Sequence, residues 1–345
     1  LSDFVCYNNR ENEKVKGALT MKYRLFPGTG LQVSEICLGT MTFGDQLAEK
    51  DAINAVHFAK DRGINFIDTA DCYFRGSAGT SETILGKAIQ PIRDSIILAT
   101  KCGGPMSPDV NGSGLSRCHV VCAVDASLKR MGTDYVDILY YHFPDWTVSV
   151  ENLIITANDL IRAGKIRYYG ISNFAAWQTL EVYLKAKEMH LAPPAMTESV
   201  YNLLTRGIED EMIPMLKNHP MGLVAYNPLA GGLLTGKHRK NAPAPDSRFS
   251  REKGYANRYF HDNNLDAVEE LNKIAEAFGY NMIEMSLKWL LASQNVTSVI
   301  VGFSRLEQLQ QNLDWVERES EQPLPMEQID AVWKTLNGNR YSYHQ

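Results

Sequence analysis

From Met21 onward the chain alternates short apolar or β-branched runs with longer amphipathic stretches, which is the pattern of strands and crossover helices in a parallel sheet. Eight runs read as strands: 36–38, 66–68, 96–100, 136–141, 168–172, 195–199, 222–226 and 298–301. The stretches between them carry helical spacing over 51–62, 81–89, 118–131, 150–163, 175–189, 208–218 and 265–278, and two more, 306–313 and 326–336, follow the last strand. Ahead of the repeats, 22–25 and 31–34 flank Pro27-Gly28-Thr29-Gly30, a hairpin with its turn. Eight strand-helix units favour a closed (β/α)8 TIM barrel over an open doubly wound sheet, with the hairpin closing the bottom and an extra C-terminal helix. No Gly-x-Gly-x-x-Gly lies between an early strand and its helix, so the dinucleotide fingerprint of the open sheet is absent.

Residues 1–20 are polar and aperiodic, and read as a flexible extension or cloning remnant outside a single barrel domain over 21–345. The interval 227–264 is too long for an ordinary connection and is rich in Gly, Lys and Arg, which marks it as functional or mobile.

Composition narrows the function. Hydrophobic residues make up 44% of the chain, charged residues 22%, and the net charge is −5, which suits a large core and disfavours nucleic acid as a partner. No run is long and apolar enough for a membrane span and no secretory signal is read, so the expected location is the cytoplasm. The six cysteines are scattered and expected to be reduced. Cys118-His119-x-x-Cys122 lacks a second ligand pair, so no metal is expected.

Active sites of such barrels lie at the C-terminal ends of the strands, so polar residues that close apolar runs come first. Asp68 ends the second strand, Tyr73 follows in its loop, Lys101 follows the third and His142 the fourth. Singly they read equally well as a structural ion pair, a surface aromatic and a satisfied histidine. Together they suit general acid catalysis on a developing alkoxide: a phenol tuned by an ammonium, the ammonium held by a carboxylate, and a neutral imidazole bonded to the substrate oxygen.

The set Asp68-x-Ala70-x-x-Tyr73, Ser81-Glu82, Lys101 and His142, together with the stretches 128–139 and Gly170-Ile-Ser-Asn-Phe174, resembles the aldo-keto reductases from Met21 to about Asn312. The resemblance is nearest to the branch that includes bacterial and fungal reductases and potassium-channel β subunits. It implies hydride transfer from NADPH to an aldehyde, ketone or sugar-derived carbonyl, with Tyr73 as acid, Lys101 and Asp68 tuning it, and His142 orienting the carbonyl. Histidine at 142, where the family's steroid double-bond reductases carry glutamate, argues against that activity.

By the same resemblance Gly39, Thr40, Met41 and Asp68 meet the cofactor after the first two strands, and Ser172, Asn173 and the residue at 198 hold the nicotinamide carboxamide. Tyr226 stacks on the ring, and the run through Asn227, Leu229, Gly231, Gly232 and Lys237, with Arg248 above it, cradles the pyrophosphate. Gly302, Ser304, Gln308, Gln311 and Asn312 take the adenosine end. Ser304 and Arg305 at a helix N-terminus favour a 2′-phosphate and so NADPH over NADH. Position 198 departs from the family pattern: Glu198 stands where glutamine is usual, and a carboxylate there is expected to favour the oxidised, cationic ring.

The substrate is expected to meet the loops 43–46, 74–79, 143–146 and 227–264, with Phe43, Phe74, Phe143 and Trp146 as an aromatic wall and Arg75 and Asp145 as polar handles. A cofactor-binding regulatory subunit with slow turnover is the rival reading, and a barrel without redox function a third. The oligomeric state, and whether the tail 337–345 with Tyr341 and Tyr343 covers the mouth, stay open.

Overall fold

The computed structural model describes residues 21–73, 77–240, 243–245 and 247–337; the extension expected over 1–20, Phe74, Arg75, Tyr341 and Tyr343 lie outside the described residues. A two-stranded antiparallel hairpin, β1 (Tyr23–Leu25) and β2 (Gln32–Ser34), comes first. Then follow β3 (Ile36–Gly39), α1 (Glu49–Asp61), β4 (Phe66–Asp68), α2 (Thr80–Ile89), β5 (Ile97–Cys102), α3 (Arg117–Met131), β6 (Val136–Tyr141) and α4 (Val150–Arg162). The second half runs β7 (Ile166–Ser172), α5 (Ala176–Glu188), β8 (Met196–Val200), α6 (Met212–Asn218) and β9 (Gly222–Tyr226). After β9 come α7 (Arg248–Arg251), α8 (Lys253–Tyr259), α9 (Asp262–Ala277), α10 (Met282–Ala292), β10 (Ser298–Val301), α11 (Leu306–Glu317) and α12 (Met326–Asn337). The strands β3 to β10 close into a parallel barrel, β10 pairing with β3. The expected fold is present.

Alternation along each strand sorts the side chains into two cores. Phe66, Ala99, Ile138, Tyr140, Met196, Val224 and Ile300 fill the barrel, while Ile67, Leu98, Leu139, Tyr141, Leu223 and Ala225 pack outward against the helices. The hairpin does close the bottom. Phe26 is fully buried, meets Phe66 edge-on at 5.7 Å between ring centres, and occupies the space a side chain on Gly222 would need. Glycine at 222 therefore leaves room for the plug.

Three elements differ from the sequence reading. Helix α10 was not expected, because it has almost no polar face: Met282, Met285, Leu287, Trp289 and Leu290 are buried, and so is Glu284, which is neutralised by Lys288 and Arg318. Its start is nevertheless marked by a capping box of Asn281 and Glu284. The helix expected over 208–218 begins at Met212 after a 3-10 turn, since Pro214 fits only a first helical turn. The long interval after β9 is not bare loop: it holds a 3-10 turn (Ala230–Thr235), α7 and α8, gathered on a cluster of His238, Phe249 and Phe260.

Candidate active site

Inward-facing positions turn from apolar to polar near the C-terminal ends of the strands. Asp68 on β4, Lys101 on β5 and Glu198 on β8 stand in one buried layer above Phe66, Ala99 and Met196, two residues earlier on the same strands. Tyr140, opposite Lys101 in register, is buried below them, and Gly170 leaves space for its ring. The expected set does converge. Lys101 Nζ donates to Asp68 Oδ1, to the Thr69 carbonyl at 3.0 Å and to Tyr73 Oη at 3.3 Å, and Glu198 Oε2 lies 3.4 Å away. His142 continues from the end of β6, stacked on Phe143 and edge-on to Tyr73 with 6.0 Å between ring centres.

The electrostatics follow from one ammonium enclosed with two carboxylates. Burial raises Asp68 while Lys101 opposes it, and burial with the Asp68 charge carries Glu198 up to about 8. Lys101 is held well above its ordinary range: burial disfavours its charge, and Asp68 and Glu198 more than compensate. Burial and the ammonium push His142 down to about 3, so its imidazole is neutral. Two expectations need correction. Lys101 does lower the Tyr73 phenol, but burial, Asp68 and Glu198 outweigh it and the phenol ends above its ordinary value. Glu198 is mainly protonated at neutral pH, so it is not the standing negative charge expected at that position.

A second group of residues lines the rim. Asn173 adopts a left-handed backbone (φ 63°); its amide nitrogen donates to the His142 carbonyl at 2.9 Å and to Ser172 Oγ at 3.1 Å, and its amide oxygen accepts from Tyr226 Oη at 2.7 Å. Past β9 the backbone turns left-handed at Asn227, Ala230, Gly231 and Gly232, with Asn227 Oδ1 accepting from the Gly231 amide at 2.6 Å. No atom lies within 4 Å of a Cβ built on Gly232 or on Gly302. Lys237 is pushed down by burial and by nearby Arg305, and among the described residues neither cation has a carboxylate partner.

The remaining expected contacts fall around this rim. Gly39 packs its backbone against Ile300 and sits opposite Asp68, and the Thr40 hydroxyl donates to the Asp68 carbonyl at 3.0 Å; half-buried Met41 follows. The Leu229 carbonyl accepts from the Gly232 amide at 2.8 Å. Ser304, just before α11, donates through its amide and hydroxyl to Gln308 Oε1, while Asn312 is buried and Gln311 exposed on the same helix. Arg248 lies over the Tyr255 ring.

The substrate wall is only partly as expected. Phe143 and Trp146 are exposed at the mouth, 48% and 75%, but Phe43 is fully buried against Phe303 and belongs to the core. Asp145 is not a free handle, because its carboxylate accepts from the Leu115 and Thr147 amides and the Thr147 hydroxyl. Sequence reasoning missed Trp177, exposed and paired with Trp146, and Cys72, whose sulfur lies 3.7 Å from His142 Nδ1. Neither carries a pattern that would have revealed it.

The donor set fits a nicotinamide dinucleotide. Asp68 Oδ2 and Glu198 Oε2 are buried without hydrogen-bond partners, the loop after β9 turns through four left-handed residues, and unpaired cations stand at its far end. The comparisons agree with the fold. A model of the aldo/keto reductase family matches residues 35–334. The chain is 38% identical to a probable voltage-gated potassium channel subunit beta of Arabidopsis thaliana over 306 residues, 86% of this chain and 92% of that protein. It is 36% identical to a protein of the same description from Oryza sativa subsp. japonica, over 85% of this chain and 90% of that one. It is 35% identical to the L-glyceraldehyde 3-phosphate reductase of Escherichia coli K12, over 85% of this chain and 87% of that enzyme.

Proposed function

Because the chain belongs to the aldo/keto reductase family, we propose that it reduces an aldehyde, ketone or sugar-derived carbonyl to the alcohol with NADPH, Tyr73 donating the proton. The observation that carries this reading is the Tyr73 hydroxyl on the enclosed Lys101 ammonium, beside a neutral His142. A phenol whose pKa lies above its ordinary value enters the reaction protonated, as a general acid must. When it gives up that proton, Lys101 stabilises the phenolate through the same contact. The Cys72 sulfur lies 3.7 Å from His142 Nδ1, and its thiol, pushed up to about 12 by burial and Asp71, stays protonated. In this reading the neutral His142 ring carries its proton on Nε2 and donates it to the carbonyl oxygen.

A bound nicotinamide supplies the hydride. Ser172, Asn173, Glu198 and Tyr226 hold its ring end; the backbone from Leu229 to Gly232, with Lys237 and Arg248, meets the pyrophosphate; Ser304, Arg305, Gln308, Gln311 and Asn312 take the adenosine and its 2′-phosphate. Gly39, Thr40 and Met41 complete the floor beside Asp68. Phe143, Trp146 and Trp177 favour a substrate with an apolar face. Among the described residues no helix is long and apolar enough to cross a membrane.

A second reading is favoured by the relatives described as channel β subunits: a regulatory subunit that holds the cofactor and turns it over slowly. One assay separates the two. NADPH absorbance is followed with a panel of aldehydes, ketones and sugar carbonyls, for the native protein and for Tyr73→Phe. Rapid oxidation that falls about 100-fold or more in Tyr73→Phe, with NADPH binding retained, supports the reductase. Tight binding without turnover supports the regulatory subunit, and full activity of Tyr73→Phe removes Tyr73 as the acid.

A further inference from the structure

The ammonium of Lys101 has three N–H bonds. All three are committed, to Asp68, to the Thr69 carbonyl and to Tyr73. Glu198 is therefore a second carboxyl group enclosed beside a single cation that has no hydrogen left to give it: its Oε2 stands 3.4 Å from the ammonium without a hydrogen bond, and the residue is 4% exposed. A buried carboxyl group left in this position is neutralised by a proton unless another positive charge arrives. Its place determines which charge can arrive. Glu198 pairs with Ser172 across β7 and β8, and its backbone carbonyl accepts from the Asn173 amide at 3.2 Å, so it adjoins the rim where the ring end of the cofactor is placed above.

We propose that Glu198 makes this site discriminate between the two oxidation states of the cofactor, releasing its proton to solvent when the cationic nicotinamide binds and keeping it when the neutral, reduced ring binds. The inference rests on the cofactor reading given above and concerns the carboxyl group that stands where glutamine is expected, since glutamine has no proton to release.

The other ionisable groups around Glu198 do not substitute for it. From β3 Cys37 and from β6 Tyr140 are held protonated far above their ordinary values by burial. Tyr226 on β9 is pushed up by burial and by Glu198 itself, and Tyr73 in the β4–α2 loop is pushed up as well. Asp68 on β4 is raised by burial, and Lys101 on β5, its ion-pair partner, opposes that rise. Glu198, the carboxyl group without a hydrogen bond to the ammonium, is carried up to about 8 in the ligand-free protein.

The sign of the effect follows from linkage. A cation beside Glu198 lowers its pKa in the complex, so below pH 8 the oxidised cofactor binds with proton release and tightens as pH rises, by up to about tenfold per pH unit. The reduced cofactor shows no such gain. The 2′-phosphate also titrates near pH 6, but equally in both forms, so it cancels in the comparison.

The test is calorimetric titration of the whole protein with NADP+ and with NADPH at pH 7, in two buffers of different ionisation enthalpy, plus dissociation constants for both forms between pH 6 and 8. The expected result is close to one more proton released with NADP+ than with NADPH, and a ratio of the two dissociation constants that moves toward NADP+ as pH rises. Glu198→Gln abolishes both effects, whereas Glu198→Asp keeps the extra proton. Equal proton counts in the native protein, a pH-independent ratio, or a difference that persists in Glu198→Gln overturns the proposal while leaving the reductase reading intact. Failure of both cofactors to bind overturns the two together. If Glu198→Gln does not fold, the pH series on the native protein decides alone.

Discussion

Replacing Lys101 by methionine keeps the volume of the side chain and removes the charge that neutralises the layer at the mouth of the barrel. Asp68 and Glu198 are then two carboxyl groups with 1% and 4% exposure and no cation between them. Removing one partner of a buried ion pair such as Lys101–Asp68 commonly costs about 3–5 kcal/mol. The loss is limited by protonation. Without Lys101, the folded-state pKa of Asp68 rises far above its unfolded value of about 4, so the unfolded chain binds fewer protons than the folded one over the interval between them. Stability of the variant therefore falls as pH rises through that interval, by about 1.4 kcal/mol per unit for one group. The assay is urea unfolding from pH 5 to 8: Lys101→Met is close to native at pH 5 and about 3 kcal/mol or more less stable at pH 8. Asp68→Asn added to it restores most of the loss, because no unpaired charge then remains. A variant that loses under 1 kcal/mol at every pH, or a double variant weaker than Lys101→Met, would refute the charge accounting.

Three further outcomes follow from other parts of the molecule. Phe26→Ala empties the floor of the barrel and lowers stability by about 3–5 kcal/mol in urea titrations, with kcat/KM unchanged at temperatures where the variant stays folded. Gly232→Val, at φ 102° on the open side of the loop after β9, weakens NADPH binding about tenfold or more in fluorescence titrations; native affinity in this variant would exclude that loop from the site. Since His142 is depressed to about 3 in the folded protein and lies near 6.5 when unfolded, only the unfolded chain takes up its proton between those values, so native stability declines as pH falls through that window. His142→Gln has a visibly flatter decline over the same window.

The barrel was legible because its strands are short, apolar and bounded by turns, and because the polar residues that end them, Asp68, Lys101 and His142, break that pattern at equivalent places. The convergence of those residues needed only the topology. Charge state was harder to read: it depends on how many N–H bonds the lysine has left after Thr69 and Tyr73 are served, and a main-chain carbonyl such as that of Thr69 has no signature in a sequence. Phe43 and Asp145 illustrate the same limit. An aromatic residue in a loop looks alike whether it faces solvent or packs on Phe303, and a loop carboxylate looks alike whether it is free or holds the Leu115 amide. Helix α10 was hidden because Glu284 is a buried polar residue, so the two-faced pattern that marks surface helices was missing.

The hydrogen bonds of Asn173 fix more than its position. Both of its amide hydrogens are consumed, by the His142 carbonyl and Ser172 Oγ, while its oxygen, which takes one bond from Tyr226, has a lone pair to spare. Ser172 accepts from Asn173 and so keeps its own hydrogen to donate. The rim thus offers one donor and one acceptor side by side, the complement of a primary amide. A carboxylic acid analogue, which is all acceptor when ionised, meets a lone pair on Asn173. On the cofactor reading proposed above, the atoms that align the carboxamide also disfavour its deamidated counterpart, a check made on the incoming molecule before any chemistry begins.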